Sequence, residues 1–219
     1  MEFKYRIGGK EIQTAKAELT EKGLSLGGVK DVVPGVFFGS VFPHGPNTVK
    51  RFSDLVKVNK EPSAVKAIQE EFPQVLGISV AENLGTPALF ATISGVPEAK
   101  IQLDLVSHGI SKFFGILLAI IATPKGVLLV DEIGSGLHYS QLVSIWRRFI
   151  NTAKESENRV QLFASTHSFE CIKALGEAVA ETPNDLRILH FKRDNGESSV
   201  VKFAGEDALC AIKQGFEVR

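Results

Sequence analysis

A chain of 219 residues with 44% hydrophobic side chains carries enough apolar material for one sizeable core, with room for a subdomain. Its 25 Lys and Arg balance 25 Asp and Glu, which excludes long-range capture of nucleic acid or anionic membrane by the chain as a whole, while a local basic patch stays open. Cys171 and Cys210 stand alone, with no CxxC spacing and no signal peptide, so a reducing cytoplasmic setting is expected rather than a disulfide framework or zinc knot.

Phe3, Tyr5 and Ile7 alternate along FKYRIGGKEIQ and the run breaks at Gly8-Gly9, which predicts a β-hairpin. Gly, Pro and Val dominate from Gly23 to Pro46, predicting short strands and turns. NTVKRFSDLVKV and EPSAVKAIQEEF predict two mainly polar helices, the second with Pro62 near a first helical position. VLGISVAE and ALFATISG then predict strands. Residues 1–102 read as a β-rich portion with a helical insert, and residues 103–219 as an α/β lobe.

In that lobe a helix is expected over 109–122, a strand over 126–131, a helix near 140–155, a strand over 160–166, a helix near 168–180 and a strand over 186–193. This alternation favours a parallel sheet with flanking helices. The apolar run FFGILLAIIA, ten residues from Phe113, spans only ~15 Å as a helix, roughly half a bilayer core, so it reads as a core helix and no membrane span. Leu142, Ile145, Trp146, Phe149 and Ile150 form one stripe, expected against the sheet. RDNGES predicts an Asn-Gly turn joining 186–193 to a strand at 198–203, and a short helix starts near Glu206.

The stretch GVLLVDEIGSGLHYS runs four apolar residues into Asp131 and Glu132, then into a glycine-permitted turn. Carboxylates at the carboxyl edge of a parallel strand sit where α/β proteins hold nucleotide and metal. There an Asp can hold Mg²⁺ and a Glu can orient or deprotonate the attacking water, although a buried strand can also end in merely solvated acids. VQLFASTHS is a second apolar strand, ending at His167, whose ring nitrogen could donate to a phosphate oxygen or simply sit in a capped loop. SHGISK opens the apolar helix, and Ser107, His108 and Gly109 there form either an anion-binding helix start or an ordinary N-cap.

In this order and spacing the segments resemble the ATP-binding heads of ABC-like ATPases, and in particular the bacterial AAA-family ATPases related to overcoming-lysogenization-defect proteins. The resemblance runs from about Phe52 to the carboxyl terminus: DLVSHGISKFFGILLAI is similar to the signature segment, with Ser-His-Gly in place of the more familiar Ser-Gly-Gly. GVLLVDEIGSGLHYSQL resembles Walker B with the D-loop, QLFASTHSFECI the switch-histidine loop, and GFEVR the usual end of such chains. It implies a P-loop NTPase-like α/β fold with ATP and Mg²⁺ as cofactors. By residue, it implies Mg²⁺ coordination by Asp131, water activation by Glu132, γ-phosphate sensing by His167, and partner-nucleotide contacts from the Ser107–Gly109 segment. It also implies a second ATPase head as partner, in a homo- or heterodimer, with phage defence or DNA transactions as the setting and DNA or an effector protein as further partners.

Such heads need a phosphate cradle, GxxxxGK[ST]. The one Gly-Lys pair here is Gly9-Lys10, and the motif would require Gly where Lys4 stands and Ser or Thr where Glu11 stands. The chain is therefore expected to be the later part of a head, without its first strand, P-loop and first helix. Losing about three charge-assisted hydrogen bonds at ~1.5–3 kcal/mol each costs roughly 4–9 kcal/mol, about 10³- to 10⁶-fold in affinity. ATP hydrolysis to ADP and phosphate is thus expected to be negligible for the isolated chain, which would act with a chain supplying the P-loop or be a truncated copy. Three other readings stand beside this one. The chain could be a nucleotide-independent protein- or DNA-interaction module using Lys50-Arg51 and Arg147-Arg148, a cysteine hydrolase using His167 and Cys171, or a Toprim-like nuclease beginning at AGEDAL, which has too few residues after it.

Overall fold

The computed structural model describes residues 2–5, 13–20, 23–27, 34–39, 46–96, 100–155, 159–194 and 197–215. The chain divides into two units, Met1–Pro34 and Gly35–Arg219. In the first, β1 (Glu2–Tyr5), β2 (Gln13–Thr20) and β3 (Gly23–Gly27) form an antiparallel meander with Phe3 opposite Ala15 and Leu19 opposite Leu24. β1 and β2 pair as the sequence predicts, and the Gly8-Gly9 turn lies outside the described residues.

The second unit is built on a parallel sheet. β4 (Gly35–Phe38), β8 (Val127–Val130) and β9 (Gln161–Ala164) lie in that order, with Phe38 level with Val130 and Val130 level with Ala164. The strands are apolar runs with side chains alternating between the two faces. Val36, Phe38, Leu128, Val130 and Leu162 point into the main core. Phe37, Leu129 and Phe163, in register on the other face, are 69%, 42% and 46% exposed.

The core is organised around α4 (His108–Ala122), in which every residue from Gly109 to Ile120 is buried. A helix this apolar on all sides must be surrounded. α1 (Pro46–Lys57) and α2 (Glu61–Glu71) pack on it, with Pro62 in the first turn of α2 as expected. Phe52 of α1 meets Phe114 at 5.7 Å between ring centroids. Phe113 contacts Phe72 edge-on at 5.4 Å and stacks on Phe149 of α5 (Leu142–Lys154), also at 5.4 Å. Each such pair adds ~0.5–1.5 kcal/mol beyond area burial. The stripe on α5 is buried at Leu142, Ile145, Trp146 and Phe149, but α5 packs mainly against α4 and α6 (Phe169–Ala178) rather than against the sheet.

The remaining strands are antiparallel. β5 (Val75–Asn83), β6 (Thr86–Ile93) and β7 (Ile101–Gln102) make one sheet, followed by the single turn α3 (Leu103–Val106). β10 (Arg187–Asp194) and β11 (Glu197–Ala204) pair as predicted, with the Asn-Gly tip outside the described residues. α7 (Glu206–Lys213) carries Glu206 and Asp207 as an acidic first turn and closes a second small core with Ile172, Leu186 and Ile188. Among the described residues, no helix is long and apolar enough to cross a membrane.

Candidate nucleotide site at the carboxyl edge of the parallel sheet

The parallel ladder continues briefly past its strands. Asp131 N–H donates to Phe38 O at 2.8 Å, Ser165 N–H to Val130 O at 2.9 Å, and Ile133 N–H to Ser165 O at 3.0 Å. These bonds bring the ends of β8 and β9 together and fix Asp131 and Glu132 beside Ser165. Ser165 Oγ donates to Asp131 Oδ1 and accepts the Glu132 N–H at 3.0 Å.

Glu132 has φ of 48°, left-handed backbone that a residue with a Cβ adopts rarely. Its conformation is held from both ends. Besides the amide bond to Ser165, its carbonyl accepts from Ser135 N–H at 3.0 Å and from Lys112 Nζ at 2.5 Å. The twist in the chain carries the Glu132 carboxylate toward the loop after β9, where Oε2 lies 2.8 Å from His167 Nδ1. With its proton on Nδ1, His167 donates to the carboxylate and leaves Nε2 for a second partner. The imidazole is 85% exposed and the Glu132 side chain 30% exposed, so the pair faces solvent. Ser168 fixes the loop by accepting Cys171 N–H at 3.1 Å as the N-cap of α6.

Ser107 is the extended residue preceding α4, with φ of −167° and no side-chain cap bond. Ser111 N–H donates to its carbonyl at 3.1 Å, and Ser111 Oγ to Asp104 at 2.7 Å. His108 is exposed and Gly109 buried against the turn that follows Glu132. A Cβ at Gly109 would lie 2.2 Å from Gly136 O, and one at Gly136, where φ is 77°, would lie 2.6 Å from His108 Cδ2. Asp131, Glu132 and His167 therefore form one cluster, while the Ser107–Gly109 segment abuts the far end of the same turn.

Ser165 and Lys112, which hold the Glu132 backbone, are not among the candidates read from the sequence. Ser165 gives no signal beyond its place at a strand end. Lys112 does, as a lone cation at the start of an apolar run, and it is 0% exposed. Burial pushes the Lys112 ammonium down from its ordinary range, against the opposing pull of Glu132, Cys171 and Asp131. Besides Glu132 O, its Nζ donates to Ser135 Oγ at 2.7 Å and lies 3.5 Å from Ser135 O.

The donor chemistry suits Mg²⁺. That ion takes hard oxygen ligands and is commonly held by one or two carboxylates together with water and substrate phosphates. Asp131, with Glu132 beside it, supplies that kind of set. Among the described residues no group of three or more His, Cys, Asp and Glu side chains forms a protein-only metal cage.

The cysteine-hydrolase alternative finds no support here. Cys171 is 1% exposed, and burial pushes its thiol up, away from the reactive thiolate. The basic pairs of the interaction-module alternative are largely engaged within the chain. Lys50 pairs with Asp54, Arg51 lies 5.8 Å from the Phe38 ring centroid, and Arg148 pairs with Glu70 and Glu71.

Residues 52–171 match AAA_21, a family of AAA domains whose description links it to AbiEii toxin and type IV toxin–antitoxin systems. The match covers more than half of the chain, and the chain belongs to this AAA-domain, ATPase-like family. A Helicobacter pylori protein described as an ATP/GTP phosphatase is 31% identical over 85 residues, which are 37% of this chain and 22% of that protein. The chain thus spans about a fifth of that relative's length by the matched 22%. Among solved structures, the SMC head domain from Thermotoga maritima aligns at 17% identity and a TM-score of 0.45, covering 92% of this chain and 73% of that one. An Smc head domain with a coiled coil and joint from Pyrococcus yayanosii aligns at 16% identity and 0.47, covering 77% and 32%.

Proposed function

We propose that this chain is the nucleotide-facing part of an ATPase head that hydrolyses ATP to ADP and phosphate. Asp131 holds Mg²⁺, Glu132 takes the proton from the attacking water, and His167 donates to a terminal phosphate oxygen. Mg²⁺, when bound, neutralises phosphate charge. The observation that carries the reading is the 2.8 Å approach of His167 to Glu132 across two adjacent parallel strands, at the edge where such sheets receive nucleotide. A general base and a phosphate-facing donor are thereby held a few ångströms apart.

The phosphate cradle comes from a segment outside these 219 residues, either continuous with them or on a partner chain. Parallel sheets are ordinarily covered on both faces, and the exposed row Phe37–Leu129–Phe163 supports a covering segment on the open one. The Ser107–Gly109 segment faces the nucleotide of a second head, as a homo- or heterodimer. The free thiols Cys171 and Cys210 suit a cytoplasmic setting. The functional division falls between residues 102 and 103, since every candidate nucleotide residue lies beyond it.

Mg-ATP titration calorimetry and turnover, on the chain alone and with its P-loop-bearing segment, test the reading. The extended form is expected to bind and hydrolyse, with Glu132→Gln lowering kcat about 10²- to 10⁴-fold while still binding nucleotide. Asp131→Asn is expected to weaken Mg²⁺ binding, so that turnover falls and requires a higher Mg²⁺ concentration. Equal turnover in wild type and Glu132→Gln would sink the assignment.

A further inference from the structure

We propose that Lys112 is a positioning residue of this site, clamping the Glu132–Ser135 turn to α4 so that the Glu132 carboxylate stays aimed at His167. The clamp is read from contacts alone, and its effect on hydrolysis rests on the ATPase reading above.

Lys112 emerges from the most apolar helix of the molecule and is 0% exposed. An ammonium taken from water is costly unless oxygens replace its hydration. Three of its oxygen contacts come from one short stretch of chain: Glu132 O at 2.5 Å, Ser135 Oγ at 2.7 Å and Ser135 O at 3.5 Å. A methionine would fill nearly the same space without the desolvation cost, so packing alone does not call for a lysine here. What the ammonium adds is a fixed location for that stretch.

That location bears on chemistry because Glu132 is in left-handed backbone, φ 48°. Such a conformation persists where its surroundings over-determine it. Ser165 holds the amide end and Lys112 the carbonyl end. Without the ammonium the carbonyl keeps its bond from Ser135 N–H at 3.0 Å but loses its tie to the core, and the peptide can relax toward commoner backbone. Relaxation would swing the carboxylate off its 2.8 Å contact with His167. A displacement of an ångström in a catalytic group can cost about 10²-fold in rate.

The test compares wild type, Lys112→Met and Lys112→Arg. In the 219-residue chain, amide hydrogen exchange is followed over 131–137, with α5 as internal reference. Lys112→Met is expected to speed exchange in 131–137 about tenfold while leaving α5 near its wild-type rate, and Lys112→Arg to restore part of the protection. In the form carrying its P-loop segment, Lys112→Met is expected to lower kcat about 10²-fold at nearly unchanged KM, with partial recovery in Lys112→Arg. Exchange rising equally in both segments would reduce Lys112 to a general core residue and overturn the proposal. So would unchanged exchange in 131–137, or a kcat equal to wild type. Selective exchange in a protein whose wild type neither binds nor hydrolyses ATP would support the clamp and overturn the ATPase reading alone.

Discussion

A methyl group added at Gly109 would sit 2.2 Å from the Gly136 carbonyl oxygen, a backbone atom with no rotamer to change. Gly109→Ala is therefore expected to force α4 and the turn apart, at about 1–3 kcal/mol of stability. Urea denaturation measures this, and an unshifted midpoint would contradict the close approach. The residue-scale chemistry was only partly legible beforehand. Asp131, Glu132 and His167 are visible because carboxylates and a histidine at the ends of apolar strands interrupt a strong pattern. Ser165 is not, since a serine at a strand end is commonplace and its two bonds link positions over thirty residues apart. Lys112 stands out as a cation at the head of its apolar run, between Ser111 and Phe113, but a pattern cannot say whether such a cation snorkels to water or finds oxygens inside.

At the scale of elements, α1 carries its charge cluster on an exposed face. Lys50 and Lys57 flank Asp54 at 2.6 and 2.8 Å and hold its carboxyl at about 2, below the ordinary 3.8. Because the folded value is the lower one, this contribution is fully present above pH 3.8 and is lost as pH falls through about 2. Solvent screening keeps it small. An NMR titration of the Asp54 carboxyl is expected to move up toward 3.8 when Lys50 and Lys57 are both changed to Ala, and a midpoint that stays put would rule out the pairing. The identity of the helices was readable from periodicity: α1, α2, α4 and α5 lie where predicted, with ends shifted by a residue or two. Element neighbours were less readable. The stripe on α5 says which face is buried, but helix and sheet both offer apolar surface to such a stripe, and here α4 and α6 take it.

For the whole molecule, the open face of the parallel sheet has solution consequences. Phe37, Leu129 and Phe163 form a contiguous apolar row, the kind of surface that marks an interface or drives association. The isolated chain is expected to self-associate with rising concentration, and the double change Phe37→Lys with Phe163→Lys to suppress it. Sedimentation velocity distinguishes these outcomes, and a wild-type chain that stays monomeric throughout would refute the expectation. Which strands adjoin was legible only through the alternation of strand and helix, which implies parallel order without giving it, because pairing joins segments far apart in sequence. The meeting of Gly109 with Gly136 has a mechanical meaning for the molecule. Ordinary helix contacts pass through side chains, whose torsions can absorb a small displacement before the neighbouring backbone feels it. Two glycines in main-chain contact offer no such slack. A push on the exposed start of α4 would therefore reach the turn that follows Glu132 without side-chain torsions to absorb it.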